Sequence, residues 1–137
     1  LTADSKFAAI SKSIAYWQAR ILNLESCLAK THLPGPPVTF NLNLSDPVSD
    51  SLDAGSNWQG IAGQYIVTLG AESSAEDGVR EDLPTLTASV NAFTRMWLGV
   101  RPATSLSATA DLTGPSSLLA ALDACVCIPQ PHFEWDF

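Results

Sequence analysis

Six residues at the C-terminus alternate in character: His132, Glu134 and Asp136 are polar, and Phe133, Trp135 and Phe137 are aromatic. In an extended strand this spacing puts an imidazole and two carboxylates on one face, a set able to exchange protons or ligate a metal. A solvated polar face opposite three aromatics explains the same residues without any chemistry, and base rates favour it. A metal would also need a further ligand such as His32, and nothing in the spacing makes the two histidines meet. Asp46, Asp50, Asp53 and Asn57 offer oxygens, but not at the alternate positions of a calcium loop. Ser73-Ser74 and Ser116-Ser117 lack the glycines of a nucleophile elbow. Gly60 and Gly63 precede a strand pattern instead of opening a helix, the wrong side for cradling phosphate. Cys27, Cys125 and Cys127 are odd in number and spaced for neither a disulfide framework nor a zinc site. Cys125 and Cys127 fall on one face of an expected strand and read as reduced, partly buried thiols. The expectation is therefore no catalytic residue, no metal and no cofactor: a protein that is not an enzyme.

The four tryptophans divide. Trp17 and Trp97 lie on helical stripes and belong to a core. Trp58 ends a polar loop and Trp135 sits in the tail, so neither has an evident core partner. Aromatics of this kind anchor interfaces, which makes Trp58, Phe133, Trp135 and Phe137 the interface candidates. The alternative is that each folds back over its own domain.

The elements that must position these residues are readable from periodicity. Phe7, Ile10, Ile14, Trp17, Ile21, Leu24 and Leu28 recur at steps of three and four, which predicts a long helix ended by Pro34-Gly35-Pro36-Pro37. Its flanks lack the charge pairs of a coiled coil, and Ala8, Ala15 and Leu22 widen its apolar face, so a helix packed across a sheet is expected. Val38, Phe40, Leu42 and Leu44 alternate with polar residues as a strand, and Gln64–Leu69 repeats the pattern across a long polar loop. The two should pair as an antiparallel hairpin. Residues 71–82 read as an acidic connection. Leu83, Leu86, Val90, Phe93 and Trp97 predict a second amphipathic helix, stopped by Gly99 and Pro102. Leu106–Leu112 reads as a third strand, Ser116–Leu122 as a short helix and Ala124–Ile128 as a closing strand. The fold class is α+β: a small, mostly antiparallel sheet covered by a long N-terminal helix and a second amphipathic helix. All 137 residues are expected to form one domain, with residues 129–137 as a C-terminal aromatic arm.

Composition narrows the partners. The chain is 46% apolar and carries a net charge of −7. Residues 46–82 hold eight carboxylates against one cation, Arg80. An acidic middle excludes a duplex-DNA binder, which needs clustered Lys and Arg. No apolar run approaches the roughly 18 residues of a membrane span, and no signal peptide is visible. Segregated charge on a greasy chain suggests self-association.

The helix at Phe7–Leu28, the strand at Tyr65–Leu69 with its acidic turn and the helix at Leu83–Trp97, and the strand at Ala124–Ile128 together resemble tail-terminator and head-to-tail completion proteins of tailed bacteriophages. The likeness lies in element order, with no shared signature motif. It implies a non-catalytic protein that forms a ring through sheet and loop contacts. The leading expectation is accordingly a structural assembly protein that self-associates in a virion neck or tail, put together in the host cytoplasm. The alternative is a cytoplasmic small-molecule-binding or enzymatic domain, with a pocket between sheet and long helix near His32, Trp58 and His132. A third reading is an adaptor whose C-terminal arm docks elsewhere.

Overall fold

A computed structural model describes residues 18–131. Over these residues the chain runs α1 (Leu24–Leu28), β1 (Val38–Ser45), β2 (Gly63–Leu69), β3 (Ser74–Asp77), β4 (Thr85–Ser89), α2 (Val90–Trp97), α3 (Ala103–Thr109), β5 (Leu112–Thr113) and α4 (Ser116–Cys125). The five strands form one sheet in the order β3-β2-β1-β4-β5. Neighbours are antiparallel except β1 and β4, which are parallel. The α+β class and the mostly antiparallel sheet expected from the sequence are thus present, with the β1–β2 hairpin in the register Phe40 opposite Val67.

Strand alternation sorts the sheet into two faces. Phe40, Leu42, Leu44, Tyr65, Val67, Leu69, Leu86, Ala88 and Leu112 are buried and join Leu24, Leu28, Phe93, Met96, Leu106 and Leu122 in one core. The opposite face carries Thr39, Asn43, Gln64, Thr68, Thr85, Thr87 and Thr113, all exposed or half-exposed. Asn41 lies on that second face yet is buried, because its side chain donates to the carbonyls of Arg80 and Leu83 and accepts from the Arg80 N–H. It thereby ties the turn before β4 down onto the sheet.

Several elements differ from the periodicity reading, each for a local reason. The helix expected from Phe7 is helical, within the described residues, only from Leu24; its earlier part lies outside them. Residues 18–23 are not helical, and Asn23, extended at φ −145°, caps α1 by accepting from the Ser26 N–H. Tertiary bonds hold the preceding segment: Arg20 to Asp46, the Ile21 N–H to Thr94, and the Trp58 indole to the Leu22 carbonyl. The helix expected over Leu83–Trp97 is β4 followed by α2. Thr85, Leu86, Thr87 and Ala88 alternate with β-branched residues, and Ser89 restarts the chain as an N-cap, its hydroxyl accepting from the Ala92 N–H. The step of four from Leu86 to Val90 spans a strand-to-helix junction and imitates a helical repeat.

The strand expected at Leu106–Leu112 is mainly α3, leaving only Leu112–Thr113 extended. A carboxylate distant in sequence supplies its missing cap: Asp123 accepts from the Ala103 N–H and the Thr104 hydroxyl. The strand expected at Ala124–Ile128 is the end of α4 and the irregular segment after it. Leu118, Leu119, Leu122 and Cys125 continue a helical stripe through the region. Within the acidic connection at 71–82 lies β3, whose Glu76 and Asp77 are exposed at the sheet edge.

Candidate ligand-binding corner

The candidate corner is built on α2. Its stripe Val90, Phe93 and Met96 enters the core, which turns Asn91, Arg95 and Leu98 toward one flank. Gly99 ends the helix at φ 70°, with its N–H on the Met96 carbonyl, and so swings Val100 and Arg101 around the end. Gln130 then bonds the Val100 carbonyl and brings the segment after α4 back to the same place.

These turns leave three adjoining grooves. The largest, about 810 Å³, lies between α2 and the incoming segment at 18–20. Buried Val90 and half-buried Leu98 and Val100, with Pro47, give it apolar walls; Asn91, Thr94, Arg20 and Arg95 give it polar ones. A second groove of about 560 Å³ shares Val100 and Pro131 with the first and adds Arg101 and Ser105. The third, about 270 Å³, is lined by Arg101, Asp123, Cys127 and Ile128 among others.

The electrostatics of the corner are uneven. Arg20 is committed: it pairs with Asp46, whose carboxylate is fully buried, and its guanidinium lies 5.3 Å from the centre of the Trp58 ring. Burial alone pushes the Asp46 carboxyl up. The Ile61 N–H, the Arg20 guanidinium and the Val48 N–H outweigh it, so the group sits below the ordinary carboxylate value. Asp123 is likewise engaged at the start of α3. Arg95 and Arg101 make no ion pair among the described residues. A chain of net charge −7 thus places on one apolar-walled corner two guanidinium groups that have no ion-pair partner among the described residues.

The candidates named from the sequence are scattered. Trp58 is 36% exposed, donates its indole N–H to the Leu22 carbonyl and stacks under Arg20. Phe133, Trp135 and Phe137, with His132, Glu134 and Asp136, lie outside the described residues. His32 is exposed and its Nδ1 lies 2.7 Å from the Ala71 carbonyl oxygen. Asp46 is a structural anion, whereas Asp50 and Asp53 are exposed. Among the described residues no three His, Cys, Asp or Glu side chains are grouped to hold a metal. Cys125 is buried at the end of α4, where desolvation pushes its thiol pKa up, and Cys127 is exposed; no strand joins them. Arg95 and Arg101 were not among the candidates. The signal available was the spacing of Asn91, Arg95 and Leu98 on the side of a helix away from its core stripe.

A mixed sheet with helices packed on one face and an apolar-walled groove beside them places the chain among small α+β domains. More specifically, residues 25–134 match the family model described as a sterol carrier protein domain, and the chain belongs to that family. No curated protein matches the sequence. Solved structures share the fold, three of them as follows. A GCN5-related N-acetyltransferase from Kribbella flavida aligns with TM-score 0.64 at 17% identity. A conserved Enterococcus faecalis V583 protein described as a probable N-acyltransferase aligns with TM-score 0.64 at 22%. A GCN5-related N-acetyltransferase from Anabaena variabilis ATCC 29413 aligns with TM-score 0.65 at 16%. In each case the alignment covers 82% of this chain but only 26% of the other, so the chain spans about a quarter of their length.

These matches overturn the resemblance to phage tail terminators, and with it the virion-assembly function. The misreading has a physical origin. Two of the features that carried it, the helix at Leu83–Trp97 and the strand at Ala124–Ile128, do not exist as such. As for membranes, no helix among the described residues is long and apolar enough to cross one.

Proposed function

We propose that this chain is a small-molecule-binding domain whose ligand lies in the groove beside α2, and that it works next to an acyl-transfer activity carried by other parts of a longer polypeptide. The groove of about 810 Å³ carries this reading. Its volume falls within the roughly 300–1,000 Å³ of ordinary ligand sites, and its walls combine apolar area with a few polar groups. Family membership supports a carrier role. The N-acetyltransferase neighbours, about three times as long, support a second domain that performs the chemistry, with this one holding or presenting an acyl-bearing or sterol-sized body. The step is therefore assigned away from this domain, whose own residues bind and orient.

The neutral fluorophore N-phenyl-1-naphthylamine tests the groove directly. Saturable fluorescence enhancement is expected, and Leu98→Trp, which fills the groove from a half-buried position, should weaken binding at least tenfold while leaving the melting temperature within a few degrees. A folded chain that gives no saturable signal, or a Leu98→Trp variant that binds unchanged, sinks the assignment.

A further inference from the structure

We infer that residues 18–22 form a strap that gates the groove beside α2, opening as a unit about the start of α1 and latched shut by Arg20 and Trp58. The inference rests on the groove being the binding site and adds how access to it is controlled. Gln18, Ala19 and Arg20 make one wall of the groove, facing Val90, Asn91 and Thr94 of α2. This wall is fastened differently from the elements around it. Among the described residues, no backbone-to-backbone hydrogen bond joins residues 18–22 to the rest of the domain. Side chains hold their main chain instead: the Ile21 N–H reaches the Thr94 hydroxyl at 3.4 Å, and the Leu22 carbonyl accepts the Trp58 indole N–H at 3.0 Å. Of the segment's side chains only Ile21, at 1% exposure, is buried.

Lifting the strap leaves the rest of the domain satisfied. The Thr94 hydroxyl keeps its bond to the Val90 carbonyl, and Asp46 keeps the Ile61 and Val48 N–H groups. Asn23 caps α1 through the Ser26 N–H, a local contact that lies beyond the strap, so the helix survives as the hinge. What opening breaks is the burial of Ile21, two hydrogen bonds, and the contacts of Arg20 with Asp46 and Trp58. Attachments this few belong to the low-stability end of a structure, where a segment opens without global unfolding. A side-chain latch also has a kinetic consequence. Weakening it raises the closed state in free energy with and without ligand alike, so ligand enters and leaves faster while the equilibrium affinity barely moves. A rigid wall would instead change affinity mainly through dissociation.

Stopped-flow binding of N-phenyl-1-naphthylamine, together with residue-resolved amide exchange on the full chain, decides the matter. Trp58→Phe keeps an aromatic ring, removes the N–H that Leu22 accepts, and alters no residue lining the groove. It should raise the association and dissociation rates together, about three- to tenfold, with Kd held within about twofold. Arg20→Met keeps an unbranched stem in the groove wall but leaves the buried Asp46 unpaired until the strap opens, and should raise both rates further. In the parent, the Ile21 amide should have a protection factor at least about tenfold below those of Phe40 and Val67 in the sheet, and Trp58→Phe should lower it again without moving the other two. Rates unchanged in both variants, a Kd that shifts while the association rate does not, or an Ile21 amide exchanging in step with Phe40 and Val67 overturns the gate while the groove reading stands. Failure of the fluorophore to bind the folded parent falls on the groove reading itself and takes the gate with it.

Discussion

At the scale of single residues, Asp46 holds the incoming segment and the long loop together. One carboxylate accepts from the Ile61 and Val48 N–H groups and pairs with Arg20, which in turn covers Trp58. Asp46→Ala would strip a buried N–H of its acceptor and leave Arg20 without a counter-ion, at a cost of about 2–4 kcal/mol. Because the folded pKa lies below that of the unfolded chain, the unfolded state takes up the proton first as the pH falls. The stabilisation is complete above the unfolded value and is lost as the pH drops through the folded one. Chemical denaturation from pH 7 down to about 3 should therefore show the parent losing stability in the acid limb and the Ala variant losing less. Parallel curves would mean that Asp46 contributes no such linkage. None of this was legible in the sequence, where Asp46 is one carboxylate in an acidic stretch. What sets it apart is its encounter with Arg20, 26 positions away.

At the scale of elements, legibility followed the number of competing local signals. β1 and β2 alternate without interruption, so their strands and their pairing could be read directly. Around Leu86 the step of four to Val90 fits both a helix and a strand-to-helix junction, and the Ser89 cap decides for the junction. α3 depends on Asp123 from another helix, a partner that no local window contains. The end of α2 was legible because glycine is the residue for its conformation. At φ 70°, Gly99→Ala would force a side chain into the left-handed region, and its Cβ would meet the Ile128 side chain at 2.6 Å. The atom met is Cγ1 of a β-branched, half-buried side chain, so the contact adds to the backbone term and a loss of at least about 1–2 kcal/mol is expected in thermal unfolding. Since Gly99 also turns Val100 and Arg101 into the grooves, the same variant should bind N-phenyl-1-naphthylamine more weakly than its stability loss alone explains. Unchanged affinity would show that the corner does not depend on this turn.

At the scale of the whole molecule, the proposed ligand corner could not be read from sequence because its walls come from residues 18–20, from Pro47, from one side of the stretch between Val90 and Val100 and from Pro131, joined only by the fold. Charge, by contrast, was legible as a gradient along the chain, and the structure gives part of it a place. β3, the outer strand of the sheet, carries Glu76 and Asp77, and its far side has no strand partner among the described residues. An unpaired edge is a template for another chain, and two carboxylates there repel a second copy bearing the same charge. Glu76→Thr combined with Asp77→Thr removes that repulsion and raises strand propensity while leaving the core untouched. The doubly substituted chain should show a larger weight-average mass than the parent by light scattering at the same concentration, and the increase should be smaller when lysines replace the acids, since a cationic edge repels its own copy equally well. Equal masses for all three chains would mean that the edge is protected by covering structure and that these acids do not govern association.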